Sequence, residues 1–298
     1  MLRRNAYALA PLAAASLWGG MYVVAKWGLG LVPPVLLSFL RVALASVVLL
    51  AVVRLTKPAR AFSRADRRRF LLLGAAITVT LTTQFVGTEL TNASQSSLLT
   101  VLTPVFTLGL GVAVLGEPLT RAKAAGTGLA LAGTTLVLAG QYDLTGMTAG
   151  NIGGVASLLV ASFAWAAYTV GGRDLVRKYS ALETATYATA ASTPMILVLV
   201  PVEFAVRDIA LDLSVVTGLL VLAVLYLGVF STAAAWYLWY KGLETVDAGT
   251  VSVFFFAQPV VGSALGAVVL DERLGPLFFL GGAVMAVGVY VVSTNTEV

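Results

Sequence analysis

Two stretches of the chain, residues 87–137 and 242–292, carry similar residues in the same order at a constant offset of 155. The matches include glutamate, proline and glycine, which a merely hydrophobic composition does not bring into register. The matched pairs are Gly87/Gly242, Glu89/Glu244, Ala93/Ala248, Ser97/Ser252, Pro104/Pro259, Gly111/Gly266, Glu117/Glu272, Leu119/Leu274, Gly126/Gly281 and Gly133/Gly288. An internal repeat of this kind is typical of membrane proteins that are built from two related halves.

The composition places the chain in a membrane. Of its 298 residues, 59% are hydrophobic and only 11% are charged, and the mean hydropathy is +0.93. Soluble domains carry about 25% charged residues. Cysteine and histidine are both absent, which excludes disulfides and thiolate chemistry and removes the commonest general base and metal ligand. We therefore expect no catalytic residues, no metal and no cofactor.

Apolar stretches define the predicted helices, because a membrane-spanning helix needs about 20 mostly apolar residues. The first stretch follows Arg3 and Arg4 and continues past Val24, so we interpret it as a span and not as a cleaved signal peptide. The ten predicted spans are roughly 6–25, 34–54, 70–89, 93–115, 122–141, 150–172, 184–202, 215–240, 248–270 and 275–293. The sequence thus predicts an all-α membrane protein with five-helix units over 1–146 and 147–298.

The basic residues predict the orientation. With both termini in the cytoplasm, fifteen of the nineteen lysines and arginines fall in cytoplasmic segments, three fall outside, and Arg41 lies within a span. Such an asymmetry is the one that the positive-inside rule requires. The asymmetry explains the basic residues as signals for membrane orientation. We therefore expect no nucleic-acid partner. Because five is an odd number, the second unit must cross the membrane upside down, and the repeat is predicted to be inverted.

Several short motifs identify a family. They are Trp18-Gly19, Leu40-Arg41-Val42, Leu115-Gly116-Glu117-Pro118-Leu119 and Asp271-Glu272-Arg273-Leu274. At these positions the chain resembles the ten-helix EamA-type members of the drug/metabolite transporter superfamily. Within that family it is most similar to bacterial aromatic-amino-acid exporters, which also handle methyl viologen. The resemblance implies a multi-pass protein of the bacterial inner membrane with a small-molecule substrate. Small multidrug members of the superfamily use a carboxylate in their first helix, and this chain has none there.

Three residues are candidates for gating or hinge motion. Arg41 lies about seven residues, or about 10 Å, inside the second span. A charge at that depth usually faces protein or a watery cavity. Two interpretations stay open: a gate or partner for a substrate carboxylate, and a structural arginine that snorkels outward or bonds loose carbonyls. Pro104 and Pro259 occupy equivalent places in the two halves, where each predicts either a hinge or a static kink.

Polar and aromatic side chains inside the spans are the candidate substrate ligands. Rings suit an apolar or cationic guest, and a buried amide needs partners that a substrate can supply. The predicted substrate-binding residues are Trp18, Tyr22, Gln84, Ser97, Thr100, Trp165, Tyr168, Phe254 and Gln258. Hydroxyls of this kind also join helices together without any substrate. Trp239 and Tyr240 are predicted to belong to the interfacial aromatic belt.

Other matched residues are predicted to be structural. We expect glycines seven residues apart to allow close helix packing, either between halves or between protomers. We expect the two glutamates of the repeat to cap the following helix or to pair with a basic neighbour. These residues are Gly126, Gly133, Gly281, Gly288, Glu117 and Glu272.

Together these features predict a secondary transporter that exports or exchanges small organic metabolites by alternating access around a midplane cavity. Amino acids, aromatic or neutral, are the expected substrates, and organic cations or drugs are the alternative. Because the chain has no histidine and no acid lies well inside a predicted span, we expect a facilitator or an exchanger. An intramembrane lipid enzyme would need a clustered catalytic constellation, and no such motif is found. A non-transporting sensor or assembly subunit stays open, as does the oligomeric state, for which a monomer is sufficient.

Overall fold

A computed structural model describes residues 6–91, 96, 99–141, 152–209, 213–270 and 275–295, and within these residues all regular structure is helical. We number the helices α1 to α10. The first seven are α1 (Ala6–Gly19 and Met21–Leu29), α2 (Pro34–Thr56), α3 (Arg64–Leu90), α4 (Thr103–Leu115), α5 (Arg121–Gln141), α6 (Ile152–Lys178) and α7 (Ala181–Arg207). The last three are α8 (Gly218–Leu243), α9 (Ala248–Val253, Phe254–Phe256 and Ala257–Leu270) and α10 (Pro276–Thr294).

Length and apolarity qualify most of these helices as membrane spans. Among the described residues, eight helices are long and apolar enough to cross a bilayer, and α4 and the first part of α9 are shorter apolar helices. The prediction of a multi-span, all-helical membrane protein is therefore confirmed.

Polar caps extend several helices beyond their apolar segments. The Ser63 side chain accepts a hydrogen bond from the Asp66 N–H at 3.1 Å, and α3 begins at Arg64 instead of residue 70. At the start of α7, Ser180 accepts from the Glu183 N–H at the same distance. These side chains satisfy backbone donors that a helix start leaves without partners. Hydropathy alone therefore placed both helix starts too late.

Helices α1, α8 and α9 are interrupted or irregular inside the bundle. Helix α1 breaks at Gly20, α8 is π-helical over Tyr226–Ala234, and α9 contains a 3-10 turn at Phe254–Phe256. Pro104 lies in the first turn of α4, directly after a turn at residues 101–102, and Pro259 follows the 3-10 turn of α9. The two prolines thus follow equivalent irregularities in the two halves.

The helices pack in a pattern that repeats after five helices. Helix α5 packs on α10, α2 on α7, and α4 on α9. Likewise α3 packs on α6 as α8 packs on α1, and α3 packs on α7 as α8 packs on α2. The α4–α6 contact has the α9–α1 contact as its counterpart. If five is added to both helix numbers, and counting restarts at α1 after α10, each of these contacts becomes itself or another contact of the set.

Glycines bring α5 and α10 close together. A Cβ atom on Gly288 would lie 2.5 Å from both the Ala130 nitrogen and the Gly126 carbonyl oxygen. A Cβ atom on Gly281 would lie 2.5 Å from the Gly133 carbonyl oxygen. Of the two packing arrangements predicted for these glycines, the structure therefore contains the one between halves.

Candidate functional site

A small cavity lies at the centre of the bundle, between helices of both halves. Its volume, counted as the space that the centre of a water molecule can occupy, is about 40 Å³. That space suits roughly three water molecules. The cavity is lined by Trp18, Met21, Arg41, Thr80, Leu81, Gln84, Thr100, Thr103, Ala161, Ser162, Trp165, Trp236, Phe255 and Gln258.

Half of the predicted site residues meet at this cavity. Those that line it are Trp18, Arg41, Gln84, Thr100, Trp165 and Gln258. Tyr168 and Phe254 are buried but do not line it, and Pro104 and Pro259 lie along the adjoining helices. Ser97 and the side chain of Tyr22 lie outside the described residues.

Arg41 is buried at the cavity wall and does not snorkel toward the membrane surface. Its side chain is 1% exposed. The Nε–H donates to Thr232 Oγ1 at 2.9 Å, and Nη2 donates to the Ser231 carbonyl at 3.4 Å. Its guanidinium carbon also lies 5.5 Å from the centre of the Phe85 ring. These contacts fix a positive charge beside the cavity, where an anionic guest would meet it.

The π-helix of α8 supplies the anchors for Arg41. Thr232 donates its hydroxyl to the Leu227 carbonyl, five residues earlier, at 2.6 Å, as expected for the wider helix. The Ser231 carbonyl accepts from Trp18 Nε1 at 2.8 Å as well as from Arg41. One local irregularity therefore positions two of the cavity-lining side chains.

Aromatic rings form one wall of the site. Trp18 lies edge-on to Trp165, with ring centroids 5.3 Å apart, and 5.6 Å from the ring of Phe255. Trp165 in turn lies 5.5 Å from Trp236. Behind this wall Tyr168 stacks on Tyr240 at 4.6 Å. The inner rings offer edges and faces to an apolar or aromatic group in the cavity.

Three polar atoms at the cavity have no hydrogen-bond partner within the described residues. They are Thr80 Oγ1, Trp165 Nε1 and Gln258 Oε1. Each side chain is at most 6% exposed, so bulk water does not satisfy them. Leaving a buried polar group without a partner costs about 1–3 kcal/mol. One donor, one acceptor and one hydroxyl that can act as either are thus available to a guest.

The prediction of an interfacial position for Trp239 and Tyr240 was wrong. Trp239 and Tyr240 are fully buried, where Trp239 Nε1 donates to Thr169 Oγ1 at 3.0 Å, so neither residue belongs to an interfacial belt. Both lie on the face of α8 that packs against other helices. In the 3-10 turn of α9, Phe255 lines the cavity, whereas Phe254 is buried outside its lining.

The sequence reasoning missed several lining residues that helical spacing could have found. Thr80 lies one turn before Gln84, Ser162 lies three residues before Trp165, and Met21 lies three residues after Trp18. Residues three or four apart share one face of a helix. The predicted ligands therefore already indicated the helix faces on which the missed lining residues lie.

At one end of the bundle, just after α4, Glu117 joins the two halves. Its carboxylate accepts hydrogen bonds from the backbone N–H groups of Ala248 at 2.8 Å and Gly249 at 3.1 Å. Arg173 lies 3.5 Å from the same carboxylate. Glu117 thus caps the start of α9 and not the helix that follows it, which corrects that part of the prediction. The alternative prediction, pairing with a basic residue, is met by Arg173 of α6.

At the other end, Glu203 makes a related contact. Its carboxylate accepts from the backbone N–H groups of Val35 at 3.0 Å and Leu36 at 3.1 Å, at the start of α2. Arg207 links it to Glu89, with a 2.6 Å contact to the Glu89 carboxylate. Helix α7 extends past Glu203, so a buried acid lies within a helix whose predicted span ended at residue 202. Each end thus has a carboxylate of one half on a helix start of the other.

Comparison with known proteins gives the family. The model of the EamA-like transporter family matches residues 5–139 and again residues 152–294. The chain belongs to the EamA-like transporter family. It is therefore grouped with transporters of the drug/metabolite transporter superfamily and not with enzymes, and it is a multi-pass protein of the bacterial inner membrane.

Similar proteins carry transporter names. An uncharacterized transporter of Archaeoglobus fulgidus is 27% identical, with 92% of this chain and 94% of the relative covered. A probable amino-acid metabolite efflux pump of Escherichia coli is also 27% identical, with 92% and 90% covered. A probable terminal-alkyne amino-acid exporter of Streptantibioticus cattleyicolor is 27% identical over 68% of this chain and 65% of its own. A solved crystal structure shares the fold, with a TM-score of 0.81, 21% identity, and 97% and 96% of the two chains covered.

Proposed function

We propose that this EamA-like protein is a secondary transporter that exports or exchanges small organic metabolites, most favourably neutral and aromatic amino acids, by alternating access. One observation carries the proposal. Six residues chosen from the sequence as ligands or gates converge on one buried cavity, which also holds three polar atoms without partners among the described residues.

Two inverted five-helix repeats, 1–146 and 147–298, form the proposed architecture, with ten spans and both termini in the cytoplasm. Support comes from the packing pattern, in which contacts recur when the helix number rises by five. The two separate matches to the family model, at residues 5–139 and 152–294, are consistent with this division. In this architecture the cavity lies at the repeat interface near the bilayer midplane.

Amino acids suit the chemistry of the cavity wall. In the proposal, Arg41 faces the substrate carboxylate, the indole N–H of Trp165 supplies a further donor, and Gln258 Oε1 accepts from the ammonium group. The rings of Trp18 and Phe255 then contact the side chain. Two of the similar proteins are named as a probable amino-acid exporter and a probable amino-acid metabolite efflux pump, which supports this substrate class. A cationic drug, the alternative, would have to lie near the charge of Arg41.

Two contacts serve as the proposed gates. Glu117 on the start of α9 closes the cytoplasmic end, and Glu203 with Arg207 on the start of α2 closes the opposite end. With an open volume of about 40 Å³, the cavity is far smaller than the roughly 300 Å³ or more of ordinary small-molecule sites. Substrate entry therefore requires one gate to open, with α4 and α9 bending at the irregularities next to Pro104 and Pro259.

Counterflow in liposomes tests the proposal. The purified protein is reconstituted with unlabelled substrate inside, and uptake of labelled amino acids and organic cations is measured with and without a proton gradient. We expect exchange of neutral aromatic amino acids that does not depend on the gradient. No exchange of any compound would refute the transporter assignment.

A matched pair of variants tests whether transport depends on the cavity. Thr80 and Thr184 are both buried, and neither hydroxyl has a partner within the described residues, but only Thr80 lines the cavity. Loss of one neutral hydrogen bond to the substrate should raise KM by roughly 2-fold to 10-fold in Thr80→Val. Thr184→Val should leave KM unchanged. Equal effects of the two variants would contradict the assigned site.

A further inference from the structure

A second concave surface lies on the outside of the bundle, between α2 and α8. This α2–α8 groove encloses about 520 Å³, more than ten times the open space of the central cavity. Its lining includes Val48, Val52, Lys57, Val229, Ala234 and Tyr237. The proposed transport path does not use it.

The shape of the groove follows from how the two helices separate. At Gly228 they touch closely, because a Cβ atom there would lie only 2.7 Å from the Leu44 side chain. Beyond that contact, α8 presents Ala233 and Ala234, whose side chains are too short to fill the space toward α2. The lining residues of each helix are spaced about four apart, so the groove runs lengthwise along both helices. From Leu49 to Lys57 it is about 12 Å long.

The groove has an apolar body and one basic end. Val52 is 39% exposed, so the groove is open along the side of the bundle. Lys57 caps the end of α2, and its ammonium group has no ion pair within the described residues. Arg54 lies one turn before it, and the Tyr237 side chain also lines the groove. In the proposed orientation, this end of α2 is at the cytoplasmic surface.

We propose that the α2–α8 groove binds an acyl chain of an anionic phospholipid of the cytoplasmic leaflet, with the lipid phosphate at Lys57. The shape and the charge of the groove favour this ligand. The groove faces the bilayer hydrocarbon, and Lys57 lies where anionic headgroups are found. The inference depends on the proposed function only for the orientation of the chain. It does not depend on the substrate or on transport.

A bound chain would touch the helix segment that positions Arg41. Val229 and Ala233 line the groove and belong to the π-helix of α8, whose Ser231 and Thr232 bond Arg41. The lipid site and the central cavity therefore share one irregular segment of backbone.

Native mass spectrometry of the full-length protein tests the site with phosphatidylglycerol and phosphatidylcholine that carry identical chains. One lysine near the membrane surface corresponds to a preference of roughly fivefold for the anionic lipid. We expect this preference in the wild-type protein and in Arg68→Gln, which removes an exposed charge on α3. Lys57→Gln should bind the two lipids equally. A bulkier side chain in Ala234→Leu should reduce the binding of both.

The outcomes separate this proposal from the transport proposal. Equal binding of both lipids to the wild-type protein, or an equal loss in Lys57→Gln and Arg68→Gln, would overturn the lipid site. Unchanged binding in an Ala234→Leu variant that melts at the wild-type temperature would also overturn it. None of these results depends on flux, so a protein that exchanges amino acids but fails here refutes only the lipid site.

Discussion

Close packing between α5 and α10 gives a prediction whose magnitude follows from the structure. Replacing Gly288 by alanine places a methyl group 2.5 Å from the Ala130 nitrogen and the Gly126 carbonyl oxygen. Ordinary van der Waals contact begins near 3.4 Å. Both atoms belong to the backbone, so neither can swing aside, and the two helices must separate by about 1 Å. Such overpacking costs up to about 3 kcal/mol.

Gly282 is the matched control on the same helix, because a Cβ atom there would meet nothing within 4 Å. Both variants gain the same helix propensity, so their difference isolates the packing term. For a chain of this length, about 3 kcal/mol lowers the melting temperature by about 6 °C. Thermal unfolding in detergent, followed by tryptophan fluorescence, measures the difference. If Gly288→Ala melted within about 1 °C of Gly282→Ala, the packing argument would be wrong.

Three further predictions concern the cavity and its gates. Trp165→Phe removes an indole N–H that has no partner among the described residues, so it should weaken substrate binding roughly 2-fold to 10-fold by calorimetry, and unchanged binding would rule out an indole contact. Arg41→Met should lower the uptake of an amino acid relative to its carboxamide by roughly 10-fold or more, and an unchanged ratio would rule out a carboxylate contact. Glu117→Gln keeps the shape but weakens the cap on α9 and its pairing with Arg173, so its melting temperature should fall by about 2–6 °C. The matched control is Glu89→Gln, at a half-exposed surface pair, which should change the melting temperature by less than about 2 °C.

Hydropathy and charge were enough to predict a helical membrane protein, because each span must hydrogen-bond its backbone polar groups within a helix and must carry apolar side chains over about 20 residues. The ends were harder to predict. Helices α3 and α7 begin at serine caps outside the apolar run, so their starts depend on side-chain hydrogen bonds and not on hydropathy. The π-helix of α8 has no comparable sequence signal, since it is stabilised by contacts with Trp18 of α1 and Arg41 of α2.

The candidate site was partly predictable for a similar reason. A charge or an amide inside an apolar span is costly, so Arg41, Gln84 and Gln258 could be selected from the sequence alone. An aromatic residue inside a span does not identify a site residue in the same way. Trp236 lines the cavity and Trp239 is buried in the bundle, although both occur in one short run on α8. Only the packing of α8 against other helices distinguishes their positions.

The most direct test of alternating access uses the natural absence of cysteine from the chain. Ser162 lines the cavity, so Ser162→Cys introduces a single thiol of nearly the same size at the central site. Thr184→Cys, at a buried position away from the cavity, is the control. A membrane-impermeant thiol reagent is added to either face of reconstituted vesicles, with and without the amino acid identified by counterflow. We predict that the Ser162→Cys thiol reacts from both faces and that substrate slows both reactions, while the control stays unlabelled. Labelling from one face only, under every condition, would contradict the account.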